Sequence, residues 1–267
     1  MTNVPTVILT GAGRASLLAK TEGIGHAILV HLLGLPNPPN ILAVSRNIQS
    51  LESLAKSHKN LEAVSVDFSP SSGAKPKAGE TIIGRATSRW GRVDSIILNH
   101  GTLDPVAKIE DADLEGWATT FQVNFFSNVD LIRNALPELR KSSGRVVMVS
   151  SGAVGLPFTG WGAYGSSKAA LNHLNMTLAH EEPAISSIAI APGIVDTDMQ
   201  KALRDVHGDV MPHLEQSLFI NLKESGQIVK PSDVGTVLGN LSLNMEKSLS
   251  GKYLNWDDTI LASYRGH

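Results

Sequence analysis

The feature that most constrains this chain is a repeated contrast between short, unbroken apolar runs and longer stretches with apolar residues at helical spacing. Val4–Thr10, Ile41–Ser45, Leu61–Val66, Ser95–Asn99, Val146–Ser150 and Ile185–Ala191 are almost continuous in hydrophobicity. A strand with one face in water alternates, whereas a strand covered on both faces reads as an apolar run. Between these runs lie helical patterns around Gly25–Leu33, Gln49–Ser57, Glu80–Trp90, Leu114–Leu139 and Tyr164–His180. A last helix is expected over Val234–Leu243, with Ser232 as its N-cap, and Gly251–Asn255 reads as a final short strand. Strand–helix alternation predicts an α/β fold: a doubly wound, mostly parallel sheet of about seven strands with helices on both faces.

Composition supports one such domain over the whole chain, residues 1–267. The hydrophobic fraction of 42% and charged fraction of 18% suit a large buried core. Lysine and arginine number 23 against 25 acids, which leaves no basic footprint for nucleic acid. Cysteine is absent, so disulfides, thiol nucleophiles and cysteine-ligated zinc are out of reach. The nine histidines show no metal-ligand spacing, and no metal is expected. The amino terminus has no secretory pattern and no apolar run approaches a membrane span, so a cytoplasmic protein without a membrane partner is expected.

Thr10-Gly11-Ala12 closes the first strand and Gly23-Ile24-Gly25 opens the helix after it. Glycines at such a turn let the backbone approach a pyrophosphate, which then sits on the helix amino terminus. In loops of the TGxxxGxG pattern these glycines stand four apart, but Gly11 and Gly23 stand twelve apart, with extra residues within Gly13–Glu22. The alternative pairing, Gly11-Ala12-Gly13, is less favoured because the apolar helix follows Gly25 directly. After the second strand comes Ser45-Arg46-Asn47, with no acid in reach. At that position an acid would bind the ribose 2′-hydroxyl of NAD, whereas arginine suits the 2′-phosphate of NADP. NADP(H) is therefore the expected cofactor, read by Arg46, with Arg14 as a further positive charge.

Tyr164 and Lys168 are four apart and would share one helix face, and Ser151 ends the strand before them. An ammonium beside a phenol is expected to lower the tyrosine pKa and ready it for proton transfer near neutral pH. The surroundings of Ser151, Ser-Ser-Gly-Ala, are no Gly-x-Ser-x-Gly elbow, which disfavours a hydrolase. Taken in order, Thr10-Gly11-Ala12 with Gly23-Ile24-Gly25, Asp67, Asn99-His100-Gly101, Asn124, Ser151, Tyr164, Lys168 and Pro192-Gly193-Ile194-Val195-Asp196-Thr197 resemble the short-chain dehydrogenase/reductase family along nearly the whole chain.

The resemblance implies a Rossmann-type domain and a set of roles. Tyr164 would be the general acid, Lys168 would lower its pKa and hold the nicotinamide ribose, and Ser151 would polarise the carbonyl. Asn124 would position Lys168 through a water. Asp67 would meet the adenine, Asn99 and Gly101 would line the cofactor, and Pro192, Gly193, Val195 and Thr197 would flank the nicotinamide, with Val195 and Thr197 at its carboxamide. His100 stands where the family usually has alanine and is expected to pack beside the ribose. The family usually pairs through helices that here span Leu114–Leu139 and Tyr164–His180, so a homodimer or homotetramer is implied.

Phe158 and Trp161, with Leu156, Pro157 and the residues Met199, Leu203 and Phe219, suggest an apolar substrate pocket. The irregular stretch 198–230 reads both as cover for a sheet edge and as a substrate lid. Asp196 and Asp198 are expected to end a strand and cap the next helix. A neutral ketone, aldehyde or diketone with apolar or aromatic groups fits best. Within the family, the Pro-Gly-Ile-Val-Asp-Thr-Asp-Met and Gly-Lys-Tyr-Leu-Asn-Trp stretches are similar to fungal benzil-reductase-like and sepiapterin-reductase-like members. The expected activity is NADPH-dependent reduction of such a carbonyl. The alternatives are an NAD-dependent secondary alcohol dehydrogenase and a non-catalytic dinucleotide-binding sensor or scaffold.

Overall fold

The structure, a computed structural model, describes residues 4–13, 23–70, 77–205 and 210–266, without the side chains of residues 202–205. Arg14, most of the Gly13–Glu22 stretch and the Leu203 side chain therefore lie outside the described residues. Seven strands form one sheet: β1 (Thr6–Thr10), β2 (Asn40–Ser45), β3 (Leu61–Ser65), β4 (Ser95–Leu98), β5 (Arg145–Val149), β6 (Ser186–Ala191) and β7 (Tyr253–Asn255). Their order is β3-β2-β1-β4-β5-β6-β7, and every neighbouring pair is parallel. The doubly wound expectation is thus met without an antiparallel member.

Strand pleating divides the apolar runs between two cores. Val7, Leu9, Ile41, Ala43, Val147, Ile188 and Ile190 point to one face, where Ile28 and Leu32 of α1 (Ile24–Leu33) meet Val237 and Leu241 of α9 (Pro231–Asn244). Ile8, Leu42, Val44, Ile96, Val146 and Met148 point to the other. There they meet α3 (Ala78–Trp90), α5 (Ser127–Ser142) and α6 (Gly162–Glu181). Each fully buried aliphatic side chain contributes about 1.5–3 kcal/mol, which explains why neither face tolerates a polar alternation.

Two local expectations are corrected. The helix expected over Leu114–Leu139 is interrupted: α4 (Leu114–Phe121) passes through a single π turn, Gln122–Phe126, before α5 begins. Ser232 is not the N-cap of α9; Lys230 is, and Pro231 takes the first helical position, where its missing N–H costs nothing. Short α2 (Gln49–Ala55) flanks the β3 edge, and α7 (Asp198–Asp205) and α8 (His213–Glu224) make up the excursion after β6. At the start of α7, the Thr197 hydroxyl accepts from the Gln200 N–H at 3.4 Å.

From β1 the chain runs outward through β2 and β3, then returns to β4 on the other side of β1. That reversal leaves a crevice at the carboxyl ends of β1 and β4, where doubly wound sheets hold their ligands.

Candidate active site

A cleft of about 790 Å³ opens at that edge. Its wall is drawn from the carboxyl ends of six strands: Gly11, Ser45-Arg46, Asp67, Asn99, Ser151 and Pro192. Gly23, Ile24, Gly25, Gly101, Tyr164, Lys168, Gly193, Val195, Thr197, Phe158 and Trp161 also line it. Of the residues expected in the site, Asn124 alone stands behind the surface, fully buried.

The glycine half of the cleft has the shape of a phosphate cradle. Gly11 has a φ of 68°, a conformation that costs a residue with a Cβ. A Cβ on Gly25 would overlap the Gly11 carbonyl oxygen and come within 2.6 Å of Asn99 Nδ2. Gly23 is the N-cap of α1 and no acid lies in the helix's first turn, so the backbone N–H groups of that turn suit an anion. This supports the pairing of Gly11 with Gly23 and Gly25. At the outer end Arg46 is exposed beside Asp67. The Ser69 backbone N–H, at 2.9 Å, is the main cause holding the Asp67 carboxyl below its usual range, with Arg46 adding to it. A dinucleotide fits these residues.

The polar centre is built from long-range hydrogen bonds. Lys168 Nζ donates to the Val149 carbonyl at 2.7 Å and lies 5.8 Å from the centre of the Tyr164 ring. Asn124 sits in the π turn, which turns its amide inward. It accepts from Thr102 N at 2.8 Å and donates to Thr102 O at 2.9 Å and Ser167 Oγ at 3.0 Å. Lys168 and Asn124 do not touch each other; a Cβ on Gly101 would lie 3.6 Å from Lys168 Nζ and 3.2 Å from Asn124 Oδ1. The Ser151 hydroxyl accepts from Ala153 N at 3.2 Å and lines the cleft beside the Tyr164 phenol, whose pKa it lowers.

A family model for short chain dehydrogenases matches residues 6–207. The chain belongs to that family. It is similar to the benzil reductase ((S)-benzoin forming) of Saccharomyces cerevisiae, 34% identical over 97% of this chain and 98% of that one. A crystal structure of a short chain dehydrogenase/reductase from Saccharomyces cerevisiae covers 98% of this chain and 100% of its own, with 36% identity and a TM-score of 0.90. The NADPH-bound carbonyl reductase from chicken fatty liver matches with 26% identity and a TM-score of 0.73, over 95% of this chain and 97% of its own. This chain is accordingly a short-chain dehydrogenase, an oxidoreductase of a family that binds a nicotinamide dinucleotide.

In this short-chain dehydrogenase the Tyr164 pKa runs opposite to the sequence expectation. Burial raises it, more than the Ser151 hydrogen bond lowers it, and the nearby Tyr253 phenol adds to the rise. Lys168 is not among the causes. Burial pulls its own pKa down to about 8, because an ammonium there has lost its water. The phenol therefore keeps its proton across neutral pH.

Several residues of the site escaped the sequence. His100 does not stand free beside the cleft: its Nδ1 lies 2.7 Å from Thr10 Oγ1 and its Nε2 2.8 Å from Ser127 Oγ. Its ring stacks on Phe68 at 3.9 Å. Ser127 spends its own proton on the Val123 carbonyl at 2.7 Å, so His100 must donate from Nε2 and accept at Nδ1 from Thr10. Burial, reinforced by the Lys168 charge, holds the His100 pKa at about 3. Tyr253 of β7 donates to the Ser151 carbonyl at 2.9 Å, clamping the segment that carries the serine. Leu103 and Met211 join Tyr164 and Phe219 in a third, small apolar cluster, against which Phe158, Trp161 and Met199 pack. Leu156 also lines the cleft, with its side chain largely exposed.

Proposed function

We propose that this enzyme is an NADPH-dependent carbonyl reductase acting on neutral ketones or diketones with apolar or aromatic groups. The observation that carries this reading is the placement of Ser151, Tyr164 and Lys168 together at the junction of the two halves of the cleft, one glycine-lined and one aromatic. Among the described lining residues Arg46 is the exposed cation and offers the fork that a 2′-phosphate takes; Lys168 is buried. Among the described residues, the aromatic half holds no cation to attract a carboxylate or phosphate.

The bound dinucleotide supplies a hydride for the carbonyl carbon. Ser151 Oγ and the Tyr164 hydroxyl both hydrogen-bond the carbonyl oxygen, so negative charge developing there is met by two fixed donors. Tyr164 then delivers its proton to that oxygen, which yields the alcohol and a transient phenolate. The Lys168 ammonium steadies that phenolate, and Asn124 holds the buried polar path behind Lys168 from which the proton is replaced. Asp67, Asn99, Gly101, Pro192, Gly193, Val195 and Thr197 bind the cofactor along the cleft, and Phe158 and Trp161 bind the substrate. The region 198–230 acts as a lid, supported by Met199 and Phe219 lining the cleft. A homodimer or homotetramer through α4–α5 and α6 is proposed on the family likeness, with Phe126 of the π turn and Met176 of α6 left exposed.

Two variants test the reading. Tyr164→Phe should cut benzil reduction by about 10²–10⁴-fold while still binding NADPH. Arg46→Ala should weaken NADPH about tenfold or more in a fluorescence titration and leave NADH unchanged. Undiminished turnover by Tyr164→Phe would sink the mechanism, and equal losses for both dinucleotides would sink the cofactor assignment.

A further inference from the structure

Among the described residues, the excursion after β6 is hydrogen-bonded to the rest of the molecule at its root and near its tip. At its root, Val195 and Val229 form an isolated parallel bridge, with Val229 N to Ile194 O at 2.9 Å and Asp196 N to Val229 O at 3.0 Å. Lys223 of α8 adds an ion pair to Asp196. At its tip the fastening is made by one side chain. Glu215, in the first turn of α8, takes the Thr159 backbone N–H on Oε2 and the Thr159 hydroxyl on Oε1, both at 2.9 Å.

Thr159 lies between the two aromatic residues of the cleft, Phe158 and Trp161. Glu215 is four residues before Phe219 and so projects from the same face of α8. The carboxylate thus sits over the aromatic trio: Trp161 and Phe219 are near-parallel, 5.8 Å apart with 9° between planes, and Phe158 is 4.7 Å from Trp161 and 5.5 Å from Phe219. Trp161 in turn meets Tyr164 edge-on at 5.7 Å. Thr159 is also fixed from the other side, because Gly160, at φ 83°, accepts from Ala107 N at 3.2 Å. Glu215 itself is outside the cleft lining and touches no reacting group.

We propose that Glu215 is a positioning residue, a two-pronged latch that holds α8 against the Phe158–Trp161 segment and so sets which ketones the aromatic wall admits. The proposal rests on the carbonyl reductase reading of the same cleft. Without the latch α8 keeps its root but not the register of Phe219 on Trp161. A large diaryl diketone that fills the space beside that wall then loses contact, while a small one that reaches only Ser151 and Tyr164 does not. The charge is not what matters: an amide at position 215 can accept from Thr159 N and donate to Thr159 Oγ, so Glu215→Gln keeps both prongs.

The test uses the full chain with NADPH and two substrates, benzil and 2,3-butanedione, beside amide hydrogen exchange of the free protein. In Glu215→Ala the Thr159 amide should exchange about tenfold faster or more, KM for benzil should rise about tenfold, and kcat and the 2,3-butanedione constants should stay within about twofold. Glu215→Gln should restore both readouts. Unchanged exchange at Thr159, or faster exchange with an unchanged benzil KM, would overturn the latch. So would equal KM increases for both ketones, or failure of the glutamine variant to rescue. If the parent protein reduces neither ketone, the carbonyl reductase reading fails by itself. The latch is then judged on exchange at Thr159 and on the change in Trp161 emission between the alanine and glutamine variants.

Discussion

Replacing His100 with alanine, the residue usual for the family, should destabilise this protein in a pH-dependent way. The ring is buried, stacked on Phe68, and bonded to hydroxyls from β1 and α5. Truncating a buried ring of this size costs about 3 kcal/mol. The two hydrogen bonds add about 0.5–1 kcal/mol apiece and not more. The reason is that, once the ring is gone, Thr10 can turn its proton to the Ile97 carbonyl, 3.2 Å away, and Ser127 keeps the Val123 carbonyl at 2.7 Å. A loss of about 4 kcal/mol at pH 7.5 follows, or roughly 10 °C in Tm. Burial holds the native pKa at about 3, against about 6.5 in the unfolded chain. Between those values the unfolded state binds the extra proton. The contribution of His100 is therefore complete above pH 6.5 and falls by about 1.4 kcal/mol per unit as the pH drops. Thr10, Ser127 and Phe68 around the ring are neutral, the Lys168 charge pushes its pKa down further, and only the Val123 main chain acts against the loss. Urea unfolding of both proteins at pH 7.5, 6 and 5 measures the gap, which should narrow to about 2 kcal/mol at pH 5. A gap independent of pH, or one below about 1 kcal/mol at pH 7.5, would refute the reasoning.

Gly25→Ala should weaken NADPH by about ten- to a hundredfold in calorimetric titration, because its Cβ can be seated only by moving the Gly11 backbone; an unchanged Kd would contradict the cradle. Tyr253→Phe, which frees the Ser151 carbonyl, should lower kcat about two- to tenfold with the NADPH Kd unaltered. Equal kcat for parent and variant would show that the Ser151 segment holds itself.

The sheet was legible because each strand is a buried apolar run whose two faces need no alternation, and Tyr164 and Lys168 were legible because helical spacing puts them on one face. What local pattern could not supply was anything decided by partners far along the chain. The π turn at Asn124 answers to Thr102, 22 residues before it, and Ser167, 43 after it. The rise in the Tyr164 pKa comes from burial under residues such as Phe219 and Met211, whose place over the site no spacing rule states. The Glu215–Thr159 bond spans 56 positions. Pro231 is a different case. Its preference for the first helical position was present in the sequence, and it was passed over in favour of Ser232.

The two halves of the cleft are held by different kinds of bond, and this separates what each half can change. Ser151, Lys168 and Asn124 are tied to main-chain groups: the Tyr253 phenol holds the Ser151 carbonyl, Lys168 holds the Val149 carbonyl, and Asn124 holds both backbone groups of Thr102. Those main-chain partners belong to β5 and to the segments leaving β4 and β5, so the sheet itself fixes the proton-donating centre. The aromatic wall has no such attachment. Its position depends on ring stacking, on one carboxylate at the tip of α8 and on one ion pair at its base. Side-chain bonds exposed to water contribute less and reform more easily than a buried ladder. Substitutions at Phe158, Trp161, Glu215 or Phe219 can therefore redirect substrate choice while the Ser151–Tyr164 pair keeps its geometry. Substitutions at Asn124 reach the chemistry without touching a substrate.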